Sequence, residues 1–296
     1  MSPELTEMTE ELRDSLAESN DLRAQRDLPD GLHQDLPESV YHARILGIAS
    51  KSGLDEFRRS PAHYRAWIEG ARERSTKALS FGRALHCAVL EPERFMREYV
   101  VAPDFGDCRK RENKLARDAW TKDHRDCVVI RNAEGVAQLG MIRSMVRHPL
   151  VASLFDGGTA EVSARWTDAT TGVKCKCRVD HYRPDLATAI DVKSAEDARR
   201  EAFQRSVWNY GYHRQDAFYS EGLRTLGAPV ANFLFVVVEK SPPHAIAIYQ
   251  LDEEARRRGL EENEDLLKSM ARCIARDDWP AYPETLQTLE LPRWAQ

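Results

Sequence analysis

The chain has 296 residues, of which 42% are hydrophobic and 31% are charged, and its formal net charge is −5. This composition is typical of a globular protein with a sizeable core and excludes a fibrous or wholly disordered chain. No apolar run approaches the roughly 20 residues that cross a bilayer, and the acidic N-terminus lacks the apolar region of a signal peptide. We therefore expect a cytoplasmic protein with no membrane partner.

Charge is unevenly distributed along the chain. Residues 1–38 contain eleven acidic and three basic residues, a local net charge of −8, so the remaining 258 residues carry about +3. Helical spacing of apolar residues over 5–16, followed by two prolines and a glycine, predicts an acidic, partly helical or disordered arm over 1–38 and a globular domain over 39–296. Such an arm is usually a solvated segment, and the alternative is that it shields a basic surface.

The globular part begins with signals for helices. Ser60 followed by Pro61 is an N-cap and first-turn pair that predicts a helix starting there. A second helix is predicted over 79–95, ending or restarting at Pro92. Residues 103–124 indicate a loop or a solvated helix, and an amphipathic helix over 133–147 is stopped by Pro149.

The second half of the chain alternates between strand and helix patterns. Period-two alternation over 160–194 predicts three strands, the first two joined by the turn "DATTG". A long helix over 196–226 closed by Gly227, two further strands and a final helix over 252–275 complete the pattern. The sequence predicts an α/β fold with a small central mixed sheet flanked by helices.

The six cysteines show no metal-binding spacing. They form no CxxC pair, which disfavours a zinc site, and only Cys175 and Cys177 lie close together, which disfavours an iron–sulfur cluster. These two alternate with Lys174, Lys176 and Arg178 in a pattern typical of a strand. We expect six reduced thiols and no iron–sulfur cluster.

Two acids and a lysine lie on consecutive predicted strands. Asp180 ends the second strand, and Asp191 lies in the third, two residues before Lys193. If the strands are adjacent and antiparallel, the carboxylates meet at one edge of the sheet, where hard oxygen ligands favour one or two Mg²⁺ or Mn²⁺ ions. Lys193 shares the face of Asp191 and would act on water or phosphate there. For the Asp-x-Lys tripeptide alone, the alternative is a surface ion pair.

These motifs occur in the order of a known nuclease core. The layout of "RVD", ten residues and "DVK" resembles the PD-(D/E)xK nuclease core, and Gln215 and Tyr219, four residues apart, resemble the helix motif of its RecB-like branch. "GRALHCAVLEPERF" is similar to the histidine motif of that branch. "LSFGRALHCAVLEP" and "AEVSARWTDATTGVKCKCRVDHY" resemble the RecE exonuclease family, exodeoxyribonuclease VIII, and the resemblance covers about residues 45–250.

The resemblance implies roles for individual residues. It implies that the metal is held by His86, Asp180, Asp191 and the Val192 carbonyl, with Glu161 at the same centre. It also implies that Lys193 acts on the attacking water, while Gln215 and Tyr219 support the site and touch the DNA backbone. Taken singly, His86 can be a satisfied helical histidine, Glu161 a strand-edge acid, and Gln215 and Tyr219 a packed helix face.

The resemblance further implies an activity and partners. These are metal-dependent 5′→3′ digestion of linear duplex DNA with a free end, in recombination or repair, by a phage-related type of enzyme. A ring-shaped homo-oligomer and a partner that anneals single strands are also implied. The alternatives are a structure-specific endonuclease or RecB-like repair nuclease, and a catalytically silent DNA-binding protein, against which the intact acid and lysine set argues.

Basic residues near the acidic centre are the candidates for DNA contacts, because phosphate neutralisation dominates affinity. Residues 58–83 contain seven basic and two acidic residues just before the histidine motif, and residues 109–117 form a second basic cluster. Ser50, Ser52, Arg59 and Arg83 would hold a terminal 5′-phosphate, and Arg109, Lys110 and Arg111 of the second cluster are further candidates for DNA contacts. The alternative for each cluster is a solvated helix face.

Overall fold

The computed structural model describes residues 19–70 and 77–291, without the side chains of 77–80. The helical spacing predicted over 5–16 lies outside the described residues. The strands are β1 (Gly31–His33), β2 (Ile48–Ala49), β3 (Tyr99–Val101), β4 (Val128–Ile130), β5 (Thr159–Thr167), β6 (Lys174–Arg183), β7 (Thr188–Ala195), β8 (Asn232–Glu239) and β9 (Ile246–Gln250).

The helices surround this set of strands. In chain order they are α1 (Glu38–His42), α2 (Lys51–Arg59), α3 (Pro61–Ile68), α4 (Lys77–Leu90), α5 (Pro92–Glu98), α6 (Arg111–Asp123), α7 (Asn132–Arg147), α8 (Pro149–Phe155), α9 (Arg200–Tyr210), α10 (Tyr212–Thr225) and α11 (Glu253–Arg276). Residues 19–27 are also helical. In the part of the chain described, no helix combines the length and the apolar character needed to cross a bilayer.

The central sheet is mixed, and its strand order is β1-β5-β6-β7-β8-β9. β5, β6 and β7 are antiparallel neighbours, whereas β7 and β8 are parallel. β6 pairs with β7 only over His181–Arg183, while the short β2 pairs with β6 near its start, at Lys174 and Cys175. Between these two pairings β6 and β7 separate, and Asp180 lies at the point of separation.

Both faces of the sheet are covered by helices, which confirms the predicted α/β architecture. One core contains apolar residues of α2, α3, α9, α10 and α11 packed on Val162, Val179 and Phe235. The other contains residues of α4, α7 and α8 packed on Ile190, Val192 and their β8 neighbours. β7 is therefore buried on both faces, and the alternation of its side chains determines which core each residue meets.

The local signals for several elements are confirmed, and one predicted element is wrong. The Ser60 side chain accepts from the His63 backbone N–H at 3.2 Å and caps α3, and Pro92 begins α5. The single helix predicted over 196–226 is instead two helices, α9 and α10, separated by Gly211 at a φ of 64°. A glycine adopts this left-handed conformation without the cost of a Cβ, so it ends α9 and turns the chain into α10.

Part of the acidic N-terminal segment joins the sheet. β1 pairs with β5 in antiparallel register, with Leu32 opposite Ala164. These three residues precede the predicted start of the globular domain at residue 39. The strand signal is short, and it depends on a partner more than 120 residues away, which periodicity within the segment does not reveal.

Candidate active site

A cleft of about 1260 Å³ opens where β6 and β7 separate. Its walls come from the N-terminal segment, α2, α4, β5, β6, β7 and α10. Its lining includes His86, Glu161, Asp180, Lys193 and Tyr219. Four of the predicted motifs therefore contribute residues to one cavity, although the motifs lie on different strands and helices.

Asp191 and Lys193 share one face of β7, as their spacing predicts. The Lys193 Nζ lies 2.6 Å from Asp191 Oδ2, and the Gln215 side-chain amide donates to Asp191 Oδ1. Asp191 is only 1% exposed, so the pair is a buried ion pair and not the surface pair that the tripeptide alone allows. The ring of Tyr212 lies 4.7 Å from the Lys193 Nζ and covers the ammonium from one side.

The two members of this pair shift each other's ionisation. Burial raises the pKa of Asp191, and the adjacent Lys193 ammonium opposes that shift. Burial alone would lower the pKa of Lys193, but the Asp191 carboxylate raises it to about 12. The ammonium is therefore retained at neutral pH, and its charge is compensated within the chain.

A second group of side chains converges beside this pair. Ligand atoms of His86, Glu161 and Asp180 all lie within 4.8 Å of one another. His86 comes from α4, and the two acids come from β5 and β6, where the register places them directly opposite each other between the pairs Ala160–His181 and Val162–Val179. Glu161 has a φ of 52°, which is uncommon for a residue with a Cβ and marks strain at this position.

The backbone of β7 ties two of these three residues together. The Val192 N–H donates to Asp180 Oδ2 at 2.7 Å, and His86 Nε2 donates to the Val192 carbonyl oxygen at 2.8 Å. The other ring nitrogen of His86, Nδ1, then faces Asp180 Oδ2 at 3.5 Å. A neutral imidazole presents a lone pair there, so a cation between the two atoms would satisfy both.

Burial and the neighbouring acid perturb the ionisation of Glu161 in this cluster. Burial, followed by repulsion from Asp180, raises the pKa of Glu161 to about 8, although Arg178 opposes the shift from 3.8 Å. Two half-buried carboxyl groups and an imidazole form an oxygen-rich donor set that suits a hard divalent cation such as Mg²⁺ or Mn²⁺. The residues present therefore fit the metal that the nuclease resemblance implies.

The remaining predicted ligand and support residues lie close by but differ in position. Asp191 lies outside the three-residue cluster, because Lys193 and Gln215 occupy its oxygens. The Val192 carbonyl points to His86. Tyr219 lines the cleft and packs edge-on against Phe233, with ring centroids 6.2 Å apart.

Only some of the residues predicted to contact nucleic acid line the cleft. Ser52 and Arg83 line the cleft. Arg59 does not line it and pairs with Glu56 at 2.8 Å. The three residues of the second cluster, which begin α6 or directly precede it, are exposed and do not line this cleft: Arg109, Lys110 and Arg111.

Basic residues of β6 line the cleft, and sequence reasoning did not assign them to the site. Lys176 donates to the carbonyl oxygens of Tyr41 and Ala43 at 2.5 and 2.7 Å. Arg178 donates to the Leu36 carbonyl oxygen at 2.6 Å. Burial, with repulsion from neighbouring arginines, lowers the pKa of Lys176 to about 7. The sequence did contain a signal for this placement, because Lys176 and Arg178 alternate with the buried cysteines and therefore share the face of the strand that carries Asp180.

Comparison with known proteins gives one family match and alignments with solved structures. The model of the family described as a PDDEXK-like domain of unknown function, DUF3799, matches residues 50–292. A solved structure named "Putative exonuclease" from Eubacterium rectale superposes with a TM-score of 0.59 at 16% identity, covering 88% of this chain and 96% of that one. A phage related exonuclease from Haemophilus somnus 129PT aligns with a TM-score of 0.32 at 12% identity, covering 59% and 92%. A comparison with curated proteins yields no significant match.

Proposed function

The chain belongs to the PDDEXK-like family DUF3799, and from this premise we propose that it is a metal-dependent deoxyribonuclease that digests linear duplex DNA from its ends. The observation that carries the proposal is the convergence of His86, Glu161 and Asp180 within 4.8 Å beside the buried Asp191–Lys193 pair. The shared cleft, at about 1260 Å³, is large enough to admit a phosphodiester. The 5′→3′ direction, and a role in recombination or repair, rest on the resemblance to the RecE family.

The roles of the chain's own residues follow from their contacts. His86, Glu161 and Asp180 would hold the divalent cation, with the Val192 carbonyl beside them. When bound, the cation would activate the attacking water and stabilise charge on the phosphate oxygens. Without it, the Asp180 carboxylate would repel a phosphodiester, so the same residues that hold the metal also make DNA approach depend on it.

Lys193 supplies the complementary positive charge. Its ammonium is fixed by Asp191 and covered by Tyr212, so it is oriented before substrate arrives. A preoriented ammonium stabilises negative charge that develops on the phosphate in the transition state and orients the attacking water. Gln215 contributes indirectly by holding Asp191 in place, and Tyr219 lines the adjacent wall of the cleft.

The experiment that tests the proposal compares linear and covalently closed circular duplex DNA, each with Mg²⁺ and with EDTA. We expect loss of linear DNA only, and only with Mg²⁺. Asp180→Asn should be inactive, because the amide keeps the acceptor for the Val192 N–H but loses the charge. Asp265→Asn, the same change at an exposed position of α11, is the matched control and should cleave like wild type.

Other outcomes identify the alternatives. Nicking of the closed circle would overturn end dependence and favour a structure-specific endonuclease or RecB-like repair nuclease. DNA binding without cleavage under any metal would favour a catalytically silent DNA-binding protein. Duplexes labelled at the 5′ or the 3′ end separate the two directions, because 5′→3′ digestion releases a 5′ label first.

We also propose that the enzyme acts as a ring-shaped homo-oligomer, with a single-strand annealing protein as a partner. An exposed apolar stripe on α7 supports an oligomer: Val136, Leu139 and Val146 are 64%, 51% and 70% exposed and lie on one helical face. Light scattering coupled to size exclusion tests the assembly, and Val146→Lys should reduce the measured mass. A monomeric wild-type protein would overturn the ring.

A further inference from the structure

A row of cations on β5 and β6 leads away from the acidic cluster. The antiparallel register places Arg165 opposite Lys176 and Ser163 opposite Arg178, and the next position along brings Glu161 opposite Asp180. Side chains two residues apart on a strand share a face, so the row from Asp180 to Lys176 is about 13 Å long. Lys176, Arg178, Glu161 and Asp180 line the same cleft. The cations and the metal-site acids therefore form one continuous surface.

Arg165, at the far end of the row, has no hydrogen-bonded counter-charge in the part of the chain described, and the Asp30 carboxylate acts on it only through space. Arg165 is 1% exposed, and none of its three guanidinium nitrogens has a hydrogen-bond partner within the described residues. A guanidinium has five N–H donors, and a buried cation without partners is costly. Its register neighbour is Lys176, another cation. The fold therefore places two basic side chains side by side, where a bound anion would stabilise both.

The N-terminal segment covers this row. The backbone carbonyls of Leu36, Tyr41 and Ala43 accept from Arg178 and Lys176. Neutral carbonyl oxygens are weaker partners for these cations than charged phosphate oxygens are. The covering residues also lie before residue 50, where the family match begins. The covering residues therefore lie on the basic surface and outside the part of the chain that the family model matches.

We propose that Arg178 and Lys176, with the buried Arg165 behind them, form a phosphate track for a single nucleic-acid strand running from the metal site, and that residues 36–43 close this track until the strand displaces them. The inference rests on the proposed function, since it assigns a path to a strand of that enzyme's substrate or product. In this proposal the acidic N-terminal segment shields a basic surface, as its charge suggested, and that surface is the row containing Lys176 and Arg178.

A single strand fits this track better than a duplex. The cations lie at the floor of the cleft, with Lys176 only 7% exposed, and a narrow chain reaches such a floor. Aromatic rings accompany the charges: Trp67 lines the cleft with Arg44 4.4 Å from its ring, and Tyr219 lines it near the acids. Basic grooves with aromatic stacking surfaces are typical of single-strand binding.

The first test measures the salt dependence of binding in EDTA. A fluorescein-labelled oligothymidylate is titrated by anisotropy between 50 and 200 mM salt with wild type, Lys176→Gln and Arg178→Gln. Each lost phosphate contact should reduce the magnitude of the slope of log K against log salt by about 0.7. The ratio of wild-type to variant affinity should therefore be about 2.6-fold smaller at 200 mM than at 50 mM salt. Lys176→Arg, which keeps the charge, should retain the wild-type slope.

Arg257→Gln is the matched control, because it removes one cation from an exposed position on α11. It should leave the slope unchanged. An unchanged slope in both folded β6 variants would overturn the track. So would an equal reduction in the control, which would mean that only net charge matters.

A second measurement uses the unmodified chain, so it decides the question even if the buried substitutions prevent folding. Hydrogen exchange of 36–43 is followed in EDTA with and without the oligonucleotide. α1 is a five-residue helix whose Tyr41 N–H donates to the Pro37 carbonyl, and it is too short to persist without tertiary support. We expect faster exchange when the strand is bound, and unchanged or slower exchange would overturn displacement.

The two proposals fail separately. If wild type cleaves DNA with Mg²⁺ but the slopes and the exchange do not respond, the track is wrong and the nuclease stands. If the slopes and the exchange respond in EDTA but no metal supports cleavage, the strand-binding track stands and the nuclease does not.

Discussion

β7 and the β5–β6 ladder handle buried charge in opposite ways. On β7, Asp191 and Lys193 carry opposite charges on one face and lie 2.6 Å apart. On the ladder, like charges stand opposite each other: two acids at Glu161 and Asp180, and two cations at Arg165 and Lys176. The β7 charges are compensated by the chain itself, whereas in the ladder Arg178 lies 3.8 Å from Glu161 and offsets only part of the charge. The difference indicates that β7 orients the site while the ladder receives ligands.

Removing one member of the β7 pair should have the largest effect. Lys193→Met leaves the buried Asp191 carboxylate without its cation, and we expect a loss of roughly 3–5 kcal/mol in the free energy of unfolding. Asp191→Asn combined with Lys193→Met removes both charges and should recover most of that loss. Urea unfolding of the single and double variants measures the difference. A double variant as unstable as Lys193→Met would mean that packing, and not charge compensation, holds this region.

Asp216 on α10 provides a buried acid for comparison with both regions. Burial raises its pKa to about 6, and Arg256 and the Ser220 hydroxyl only partly oppose the shift. In the unfolded state the pKa of an aspartate is about 3.9. Between about pH 3.9 and about pH 6, Asp216 is therefore protonated in the native state and ionised in the unfolded state. Stability should fall by about 3 kcal/mol as pH rises from about 4 to about 6.

The contribution of Asp216 to the pH dependence of stability is isolated by comparing wild type with Asp216→Asn. The free energy of unfolding of wild type minus that of Asp216→Asn, measured from pH 4 to pH 7, should decrease over this window and then level off. A difference that stays constant with pH would contradict the raised pKa. Other carboxyl groups titrate equally in both proteins and cancel.

A divalent cation should stabilise the acidic end of the ladder. Mg²⁺ or Mn²⁺ at about a hundredfold excess over its Kd should add about 2.7 kcal/mol to the free energy of unfolding, because it binds the native cluster and not the unfolded chain. EDTA should reverse the shift in Tm. Asp180→Asn should show little response, and Asp265→Asn should respond like wild type. Equal metal responses in wild type and Asp180→Asn would place the cation elsewhere.

The smallest effect concerns the backbone at Glu161. Its φ of 52° costs a residue with a Cβ roughly 1–2 kcal/mol, and glycine avoids that cost. Glu161→Gly should therefore be more stable than Glu161→Ala by about 1 kcal/mol, although both lose the carboxylate and should lose cleavage alike. Thermal unfolding of the pair checks this. The reverse order of stability would mean that the left-handed conformation is not retained in the variants.

The chemical motifs were visible in the sequence because each is local. Strand alternation correctly placed Asp191 and Lys193 on one face, and the predicted antiparallel neighbours bring Asp180 to the same cleft. Helical spacing put Gln215 on the side that reaches Asp191. Ser60 was correctly predicted as an N-cap for the same reason, since a cap depends on the residues directly after it.

The basic clusters show that a high local density of positive charge does not predict which residues line the cleft. The density of positive charge drew attention to Arg109, Lys110 and Arg111, yet these residues lie outside the cleft. Lys176 and Arg178 reach it although they are interleaved with cysteines in a strand. Charge density in sequence does not determine which side of a fold a residue faces, whereas position in a paired strand does.

The sequence by itself determined the order of the five longest strands, β5 to β9, the α/β class and the residue types of the site, because period and motif spacing depend on neighbours within a few residues. Tertiary structure alone decided the break at Gly211, the pairing of β1 with β5, the position of Asp191 outside the His86–Glu161–Asp180 cluster, and the covering of the cations by residues 36–43. Each of these depends on a contact between distant segments, and the free energy of such contacts comes from packing and pairing that a local pattern does not contain.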